Sequence, residues 1–203
     1  MRTIEITAYQ FAELSDKAKQ KALEKMYDIN VHDDWFDSVY EDFKMICECL
    51  GITLNSRRSG KFDEPCIYFS GFSSQGDGAC FEGSYSYVKG ASKAIRDHAP
   101  QDKKLHAIAD QLQALQKRNF YSLEGWTKQF NHNYYSMSVG CERSDCKELA
   151  NDTEDDFKSL MEDLANWLYR QLETEYEYQT SEAAIIETIE ANEYEFDENG
   201  KRI

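Results

Sequence analysis

Residues 67–88 read IYFSGFSSQGDGACFEGSYSYV, two aromatic-rich runs on either side of a Ser73-Ser74-Gln75-Gly76-Asp77-Gly78 loop. Aromatic runs bounded by a Gly/Asp/Ser cluster are the signature of paired strands, so this stretch is expected to form a β-hairpin or paired-strand unit at the centre of the fold. The loop allows two readings. Glycines beside Asp77 permit close backbone approach, and successive amides in such a turn form an anion-binding concavity, which makes Ser74, Gln75 and Asp77 candidates for partner or ligand contact. Alternatively the glycines make the turn while Asp77 and Ser74 bond to nearby backbone amides. Gly71 and Gly83, inside the flanking runs, mark bulges or close approach of another element, such as a helix packing across them. Without basic neighbours, Tyr68, Phe69, Phe72, Phe81, Tyr85 and Tyr87 read as core and rim rather than as a base-stacking platform.

On the N-terminal side, alternation of Ile4, Ile6 and Tyr9 predicts a short strand over 3–11. Ser15 then caps a helix with Leu14, Ala18, Ala22 and Met26 on one face. A second helix carries Trp35, Val39, Phe43, Ile46 and Leu50 at helical spacing and ends at Gly51. These two helices are expected to pair antiparallel and to feed a strand over 52–54. Residues 55–64, with Arg57, Arg58 and Lys61, read as a polar loop.

On the C-terminal side, helices are expected over 92–98 and 101–118, the latter with Leu105, Ile108, Leu112 and Leu115 on one face. Strands are expected over 121–129 and 131–139, giving a sheet of about four to six strands. The longest helix is predicted from Asn151 to about Tyr178, with Asp155 and Asp156 at the positive end of its dipole. Another helix starts at Ser181 and ends at Asn192. Tyr194, Phe196 and the 198–201 turn suggest a small terminal hairpin. The class is therefore α+β: a small, mainly antiparallel sheet covered by helices, with an acidic helical C-terminal section. Residues 1–142 form the α+β core and 143–203 the acidic section, packed as one continuous domain.

The chain of 203 residues carries a net charge of -15, and its distribution is uneven. Residues 143–203 hold 6 Lys/Arg against 18 Asp/Glu, whereas the first 142 residues hold 17 against 20. Such a surface repels bare nucleic acid, whose binding relies on cations displacing condensed counterions, and it attracts a basic protein. A solvated helix surface kept soluble by charge accounts for the same composition. Within the acidic section, Glu173, Glu175, Tyr176 and Glu177 are candidate contact residues, and so are Tyr134 and Tyr135 nearer the sheet. Tyrosine offers large contact area with a polar tip, and regularly spaced carboxylates resemble a row of phosphates.

No catalytic set, metal site or cofactor is expected. The six cysteines form no paired C-x2-C knuckles, and the four histidines form no H-E-x-x-H. There is no G-x-S-x-G elbow, and the central loop lacks the endings of phosphate- and dinucleotide-binding loops. His32 with Asp33 and Asp34 reads as a helix start rather than a metal cluster. An enzyme reading would need Asp77 and His132 to converge. The opening MRTIEITAYQ has no apolar signal core, and no apolar run approaches the ~20 residues that span a bilayer. The cytoplasm, reduced thiols and no membrane partner are therefore expected.

The runs FSGFSSQGDGACFEGSY (69–85), FAELSDKAKQKALEKMYDIN (11–30) and LYRQLETEYEYQTSEAAIIETIEANEYEFDENGKR (168–202) resemble a family of small accessory proteins of tailed phages and prophages. Some members of that family are labelled as the antitoxin of a toxin-antitoxin stability system. The resemblance implies an accessory phage protein acting inside a bacterium, and it brings no catalytic residues with it. Together with the charge, it suggests a non-enzymatic inhibitor of a host protein, basic or nucleic-acid-binding, such as a CRISPR or restriction complex. The alternatives are an antitoxin for a small basic toxin, and an enzyme using the Gly-Asp-Gly loop.

Overall fold

The computed structural model describes residues 7–32, 34–59, 62–130 and 136–203. In chain order the elements are β1 (Tyr9–Gln10), a 3-10 turn (Phe11–Glu13), α1 (Asp16–Lys25), α2 (Asp37–Leu50), β2 (Ile52–Leu54), β3 (Ser56–Ser59) and β4 (Phe62–Pro65). They continue as β5 (Ile67–Phe69), β6 (Ala79–Phe81), β7 (Gly83–Tyr85), α3 (Ala91–His98), α4 (Lys103–Arg118), β8 (Leu123–Gln129) and β9 (Met137–Arg143). The chain closes with α5 (Thr153–Gln179), α6 (Glu182–Ala191) and β10 (Glu195–Phe196). Helices and antiparallel sheets make the protein α+β. Two compact units divide it: a terminal unit, Met1–Asp37 with Thr174–Ile203, and a central unit, Ser38–Glu173. This division does not follow the charge boundary at residue 142, because the first 37 residues fold with the last 30.

In the terminal unit, Ser15 caps α1 by accepting from the Ala18 amide (3.3 Å), and Ser181 caps α6 by accepting from Ala184 (3.3 Å). Each cap satisfies one of the amides that a helix start leaves without a partner. Capped in this way, α1 and α6 contribute Ala18, Ala22, Leu23, Met26, Ile185 and Ile189 to one apolar cluster with Phe11, Leu14 and Phe196. The partner of α1 in this core is thus α6, while α2, the partner expected from the sequence, belongs to the central unit apart from its first residue. Among the described residues the opening strand is only Tyr9–Gln10, since Phe11 already turns into a 3-10 helix. The terminal hairpin is also reduced: β10 pairs with β1 in the register Tyr9↔Phe196, and the following turn adds one bridge, Phe196↔Arg202. Gly200 is required in that turn. Its φ is +77°, and a Cβ there would lie 2.0 Å from the Ala18 carbonyl oxygen.

In the central unit the main sheet is antiparallel with strand order β2-β7-β8-β9. The 67–88 stretch serves two sheets. Its first run pairs as expected, Ile67↔Phe81 and Phe69↔Ala79, but β7 leaves that ribbon to join the main sheet between β2 and β8. Gly83 marks close approach of a strand rather than a helix, for a Cβ there would meet the Thr53 carbonyl at 2.7 Å. The second long strand ends at Arg143, beyond the expected 139, and residues 131–135 lie outside the described residues. Residues 56–65 correct the polar-loop reading: β3 and β4 form a hairpin in which Arg57 faces Glu64 and Arg58 faces Asp63. Its sequence, SRRS and FDEP, is mostly charged and small, so no apolar alternation announced it. Opposite charges across the ribbon supply the pairing instead.

The helices of this unit carry buried apolar stripes where their spacing predicts them. Phe43, Ile46, Leu50, Leu105, Ile108, Leu112, Leu115, Phe157, Leu164 and Leu168 are all buried. Phe43 meets Phe81 edge-on at 5.2 Å and stacks with Trp167 at 6.4 Å. Asp102 has two tasks: one oxygen caps α4 at the Leu105 amide (2.9 Å), and the other accepts from the Trp167 indole on α5 (2.7 Å). Buried Gln116 fastens α4 to β8, donating to the Leu123 carbonyl (2.7 Å) and accepting from the Leu123 amide (3.2 Å).

Candidate functional site

The loop between β5 and β6 is closed by its own acid. The Asp77 carboxylate accepts from the amides of Ser74 (2.6 Å) and Ser73 (2.9 Å), and the Ser70 hydroxyl accepts from Gly78 (3.0 Å). Those amide bonds, that of Ser74 first, hold the Asp77 carboxyl below the usual carboxylate range. The amides of Ser73, Ser74, Asp77 and Gly78 are therefore already occupied, and the turn reading describes this loop. From α5, Tyr169 donates its hydroxyl to the Gly71 carbonyl (3.1 Å), and its ring lies 5.4 Å from Phe72. Ser74 and Gln75 remain exposed at the tip. His132, the required partner in the enzyme reading, lies outside the described residues, as do Tyr134 and Tyr135. The other histidines are engaged elsewhere: His98 with Asp42 (2.8 Å), His106 with the Ala99 carbonyl (2.8 Å) and His32 with Asp28 (3.6 Å).

The acidic residues singled out near the end of α5 do not act as one row. A helix turns about 100° per residue, so Glu173 and Glu177 share a face while Glu175 points away from it. Glu173 pairs with Arg170, and Glu175 accepts from Gln179 (2.8 Å), leaving Glu177 exposed. Tyr176 packs edge-on against Trp35 at 5.6 Å, and burial together with neighbouring Tyr27 raises its pKa. It contributes to packing inside the terminal unit.

What the sequence did not reveal is how unequally the charges are compensated. Helices of the central unit are joined by ion pairs: Arg96–Asp110 (2.6 Å), Lys104–Asp163 (2.8 Å), Arg118–Asp156, and His98–Asp42. In the terminal unit, with 7 Lys/Arg against 17 Asp/Glu, the one ion pair among the described residues joins His32 to Asp28. None of the nine Asp/Glu of residues 174–203 lies within 4.0 Å of a Lys or Arg nitrogen among the described residues. Three of the unit's cations, Lys25, Lys201 and Arg202, gather with His32 at one cavity of about 420 Å³ over Met26 and Phe196. Much of the remaining surface is therefore uncompensated carboxylate, including Glu182, Glu187 and Glu190 on α6.

All six cysteines are free; burial pushes Cys80 up to about 12 and Cys141 up to about 11, so both are protonated thiols at neutral pH. Among the described residues no group of three His, Cys, Asp or Glu is placed to hold a metal ion. No described helix is long and apolar enough to cross a membrane.

These features sit in a recognisable domain class. Residues 35–182 match a domain of unknown function, DUF8835, and the chain belongs to that family. The match contains the whole central unit, with its Asp77 loop, and leaves most of the terminal unit outside. No curated protein and no solved structure matches the chain.

Proposed function

We propose that this protein is a non-enzymatic accessory protein of a tailed phage or prophage. It acts in the bacterial cytoplasm by binding and inhibiting a basic, nucleic-acid-binding host protein, such as a CRISPR or restriction complex. The observation that carries this reading is the set of carboxylates in residues 174–203, none of which lies within 4.0 Å of a Lys or Arg nitrogen among the described residues and of which only Asp197 feels nearby cations, Lys201 and Lys25. Like charges left together repel one another across the Debye length of about 8 Å at physiological salt. A partner that presents Lys and Arg relieves this repulsion, and it gains association rate as well as affinity. Phage origin rests on the resemblance of residues 11–30, 69–85 and 168–202, and the occupied amides of the Asp77 loop favour a contact role over a catalytic one there.

The test is affinity capture from bacterial cells producing the tagged protein, with the Glu182→Lys, Glu187→Lys, Glu190→Lys variant alongside. The expected partner binds DNA or RNA, is displaced by added duplex DNA, and is lost by the variant at 50 mM salt. A captured protein indifferent to nucleic-acid competition and to these charges would overturn the reading. A small toxic protein encoded beside this gene as the sole captured partner would replace it with the antitoxin reading.

A further inference from the structure

The central unit contains a groove that the charge argument does not use. It has a volume of about 590 Å³ and runs along β2, with Glu41 and Glu48 of α2 on one side and Asp63 of the β3–β4 hairpin on the other. Among the described residues β2 is an edge strand, paired on one side only, with β7. Its hydrogen-bonding phase follows from the bonds at its two ends. The Ser86 amide donates to the Gly51 carbonyl (2.9 Å), and the Asn55 amide donates to the Glu82 carbonyl (2.8 Å). In an antiparallel ladder the bonded pairs alternate. With the register Ile52↔Tyr85, Thr53↔Ser84 and Leu54↔Gly83, Thr53 faces β7, and the N–H and C=O of Ile52 and Leu54 point outward along the groove. Ile52 as a whole is only 3% exposed, so the strand is held firmly from within and its free edge reaches the surface chiefly at Leu54.

We infer that this groove accepts an extended, lysine-rich segment of a partner protein as an added β-strand beside β2. The edge presents the N–H and C=O of Leu54 near the surface and those of Ile52 deeper in the groove, at the two-residue repeat that a strand reads. Charge decides the chemistry of the occupant. Glu41, Glu48 and Asp63 line the groove with one cation among them, Lys44, which stands 4.0 Å from Glu41; Arg58 lies opposite Asp63 across the hairpin, and Glu48 has no cation within 4.0 Å among the described residues. Glu41, Lys44 and Glu48 are spaced i, i+3, i+7, so they run along one stripe of α2 facing the groove. An acidic segment is repelled there, and an apolar one leaves the carboxylates uncompensated. The inference deepens the proposed function by naming the kind of segment recognised; it rests on that reading for the expectation of a basic partner.

The experiment uses the full chain and a fluorescein-labelled Lys-Thr-Lys-Val-Lys-Thr-Lys amide peptide, followed by anisotropy, together with hydrogen exchange of the protein. On saturation, exchange at the Ile52 and Leu54 amides should slow at least fivefold. A peptide N-methylated at alternate residues should bind at least tenfold more weakly, as should the same peptide with Glu for Lys. The Glu48→Lys variant should lose at least fivefold in affinity with its thermal transition unchanged, its side chain lying at the surface. The α6 charge variant should bind the peptide within twofold of the parent. Equal binding of the N-methylated peptide, or unchanged exchange at Ile52 and Leu54, would show adhesion by charge alone and overturn the inference. The N-methylation arm leaves the protein untouched, so misfolding of a variant cannot obscure the result. Loss of nucleic-acid-competed capture with these peptide results intact would instead sink the function reading and leave the groove assignment standing.

Discussion

The terminal and central units share amide fasteners, Asn30 bonding Gln179 and Thr188 in one and Gln116 bonding Leu123 in the other, but they handle charged groups in opposite ways. In the central unit, carboxylates and amides act as fasteners: Arg96–Asp110 and Lys104–Asp163 join helices, and Asp102 and Gln116 each link two elements. In the terminal unit the core is apolar, built around Phe11, Ile185, Ile189 and Phe196, while the charges are left at the surface with little compensation. With a third of the residues it carries 17 acidic against 7 basic groups, compared with 21 against 16 in the central unit. Exposed ion pairs add little stability, so a fold has no need to neutralise its surface. Leaving so many carboxylates unpaired costs self-repulsion, and that cost is recovered when a cationic partner arrives.

The largest effects test which interactions each unit depends on. Ile189→Ala removes a side chain that is 1% exposed from the terminal cluster and should cost about 3 kcal/mol. Gln116→Leu keeps much of the volume but leaves the Leu123 N–H and C=O buried without their side-chain partner, and should cost about 2 kcal/mol. Urea unfolding followed by hydrogen exchange at residues of each unit checks both. The contrast is broken if Gln116→Leu is neutral, because the buried amide would then be replaceable by apolar packing.

Next in size is the response to charge removal. Neutralising Glu187 and Glu190, which lie away from the favourable N-terminal end of the α6 dipole, to Gln together should stabilise the terminal unit by about 0.5 kcal/mol at low ionic strength, and 1 M salt should abolish the gain. Asp110→Asn in the central unit should act in the other direction, since it removes the bidentate partner of Arg96 (3.0 and 2.6 Å). Thermal melts at two salt concentrations distinguish the signs. Equal signs for the two changes would mean that the carboxylates of α6 are compensated after all.

Much of this was legible in the sequence where one physical signal dominated. Helical periodicity located all six described α-helices, and Ser15, Ser181 and Gly51 marked boundaries because caps have specific chemistry. What stayed hidden depended on pairing across the chain. The β3–β4 ribbon sets Arg57 opposite Glu64 and is mostly polar in sequence, so hydropathy is silent there. β7 follows β6 after one residue but pairs with β2 and β8, a choice made by the main sheet rather than by the local turn. At the candidate site, the Asp77 turn was legible as an alternative because Asp commonly bonds amides a few residues away. The groove along β2 was not, since its walls come from α2 and the hairpin, and neither carries a motif.

A smaller, local effect concerns the Asp77 loop. Its carboxyl is held below the usual range in the folded protein, so its contribution is present above the unfolded value of 3.8 and is lost as pH falls through the depressed folded value. Hydrogen exchange at the Ser73 and Ser74 amides should therefore lose protection below pH 3.8, after correction for intrinsic rates. Asp77→Asn should show weakened protection at neutral pH, because a neutral amide oxygen accepts less strongly than a carboxylate. Protection that persists to pH 2 in the parent would mean that Tyr169 and the Ser70 bonds, rather than the acid, hold the loop.

The smallest expected change probes the central unit's one exception to its own rule. Thr127 on β8 is 3% exposed, and its hydroxyl has no hydrogen-bond partner among the described residues. A buried hydroxyl without a partner costs its desolvation, whereas valine has the same branched shape, a high strand preference and no polar atom to satisfy. Thr127→Val should therefore raise the unfolding free energy by about 0.5 kcal/mol, read from the urea midpoint at unchanged slope. A loss of similar size would reveal a partner for the hydroxyl, such as a bound water, and would extend to Thr127 the satisfied state of buried Gln116 and Asn119 in the same unit.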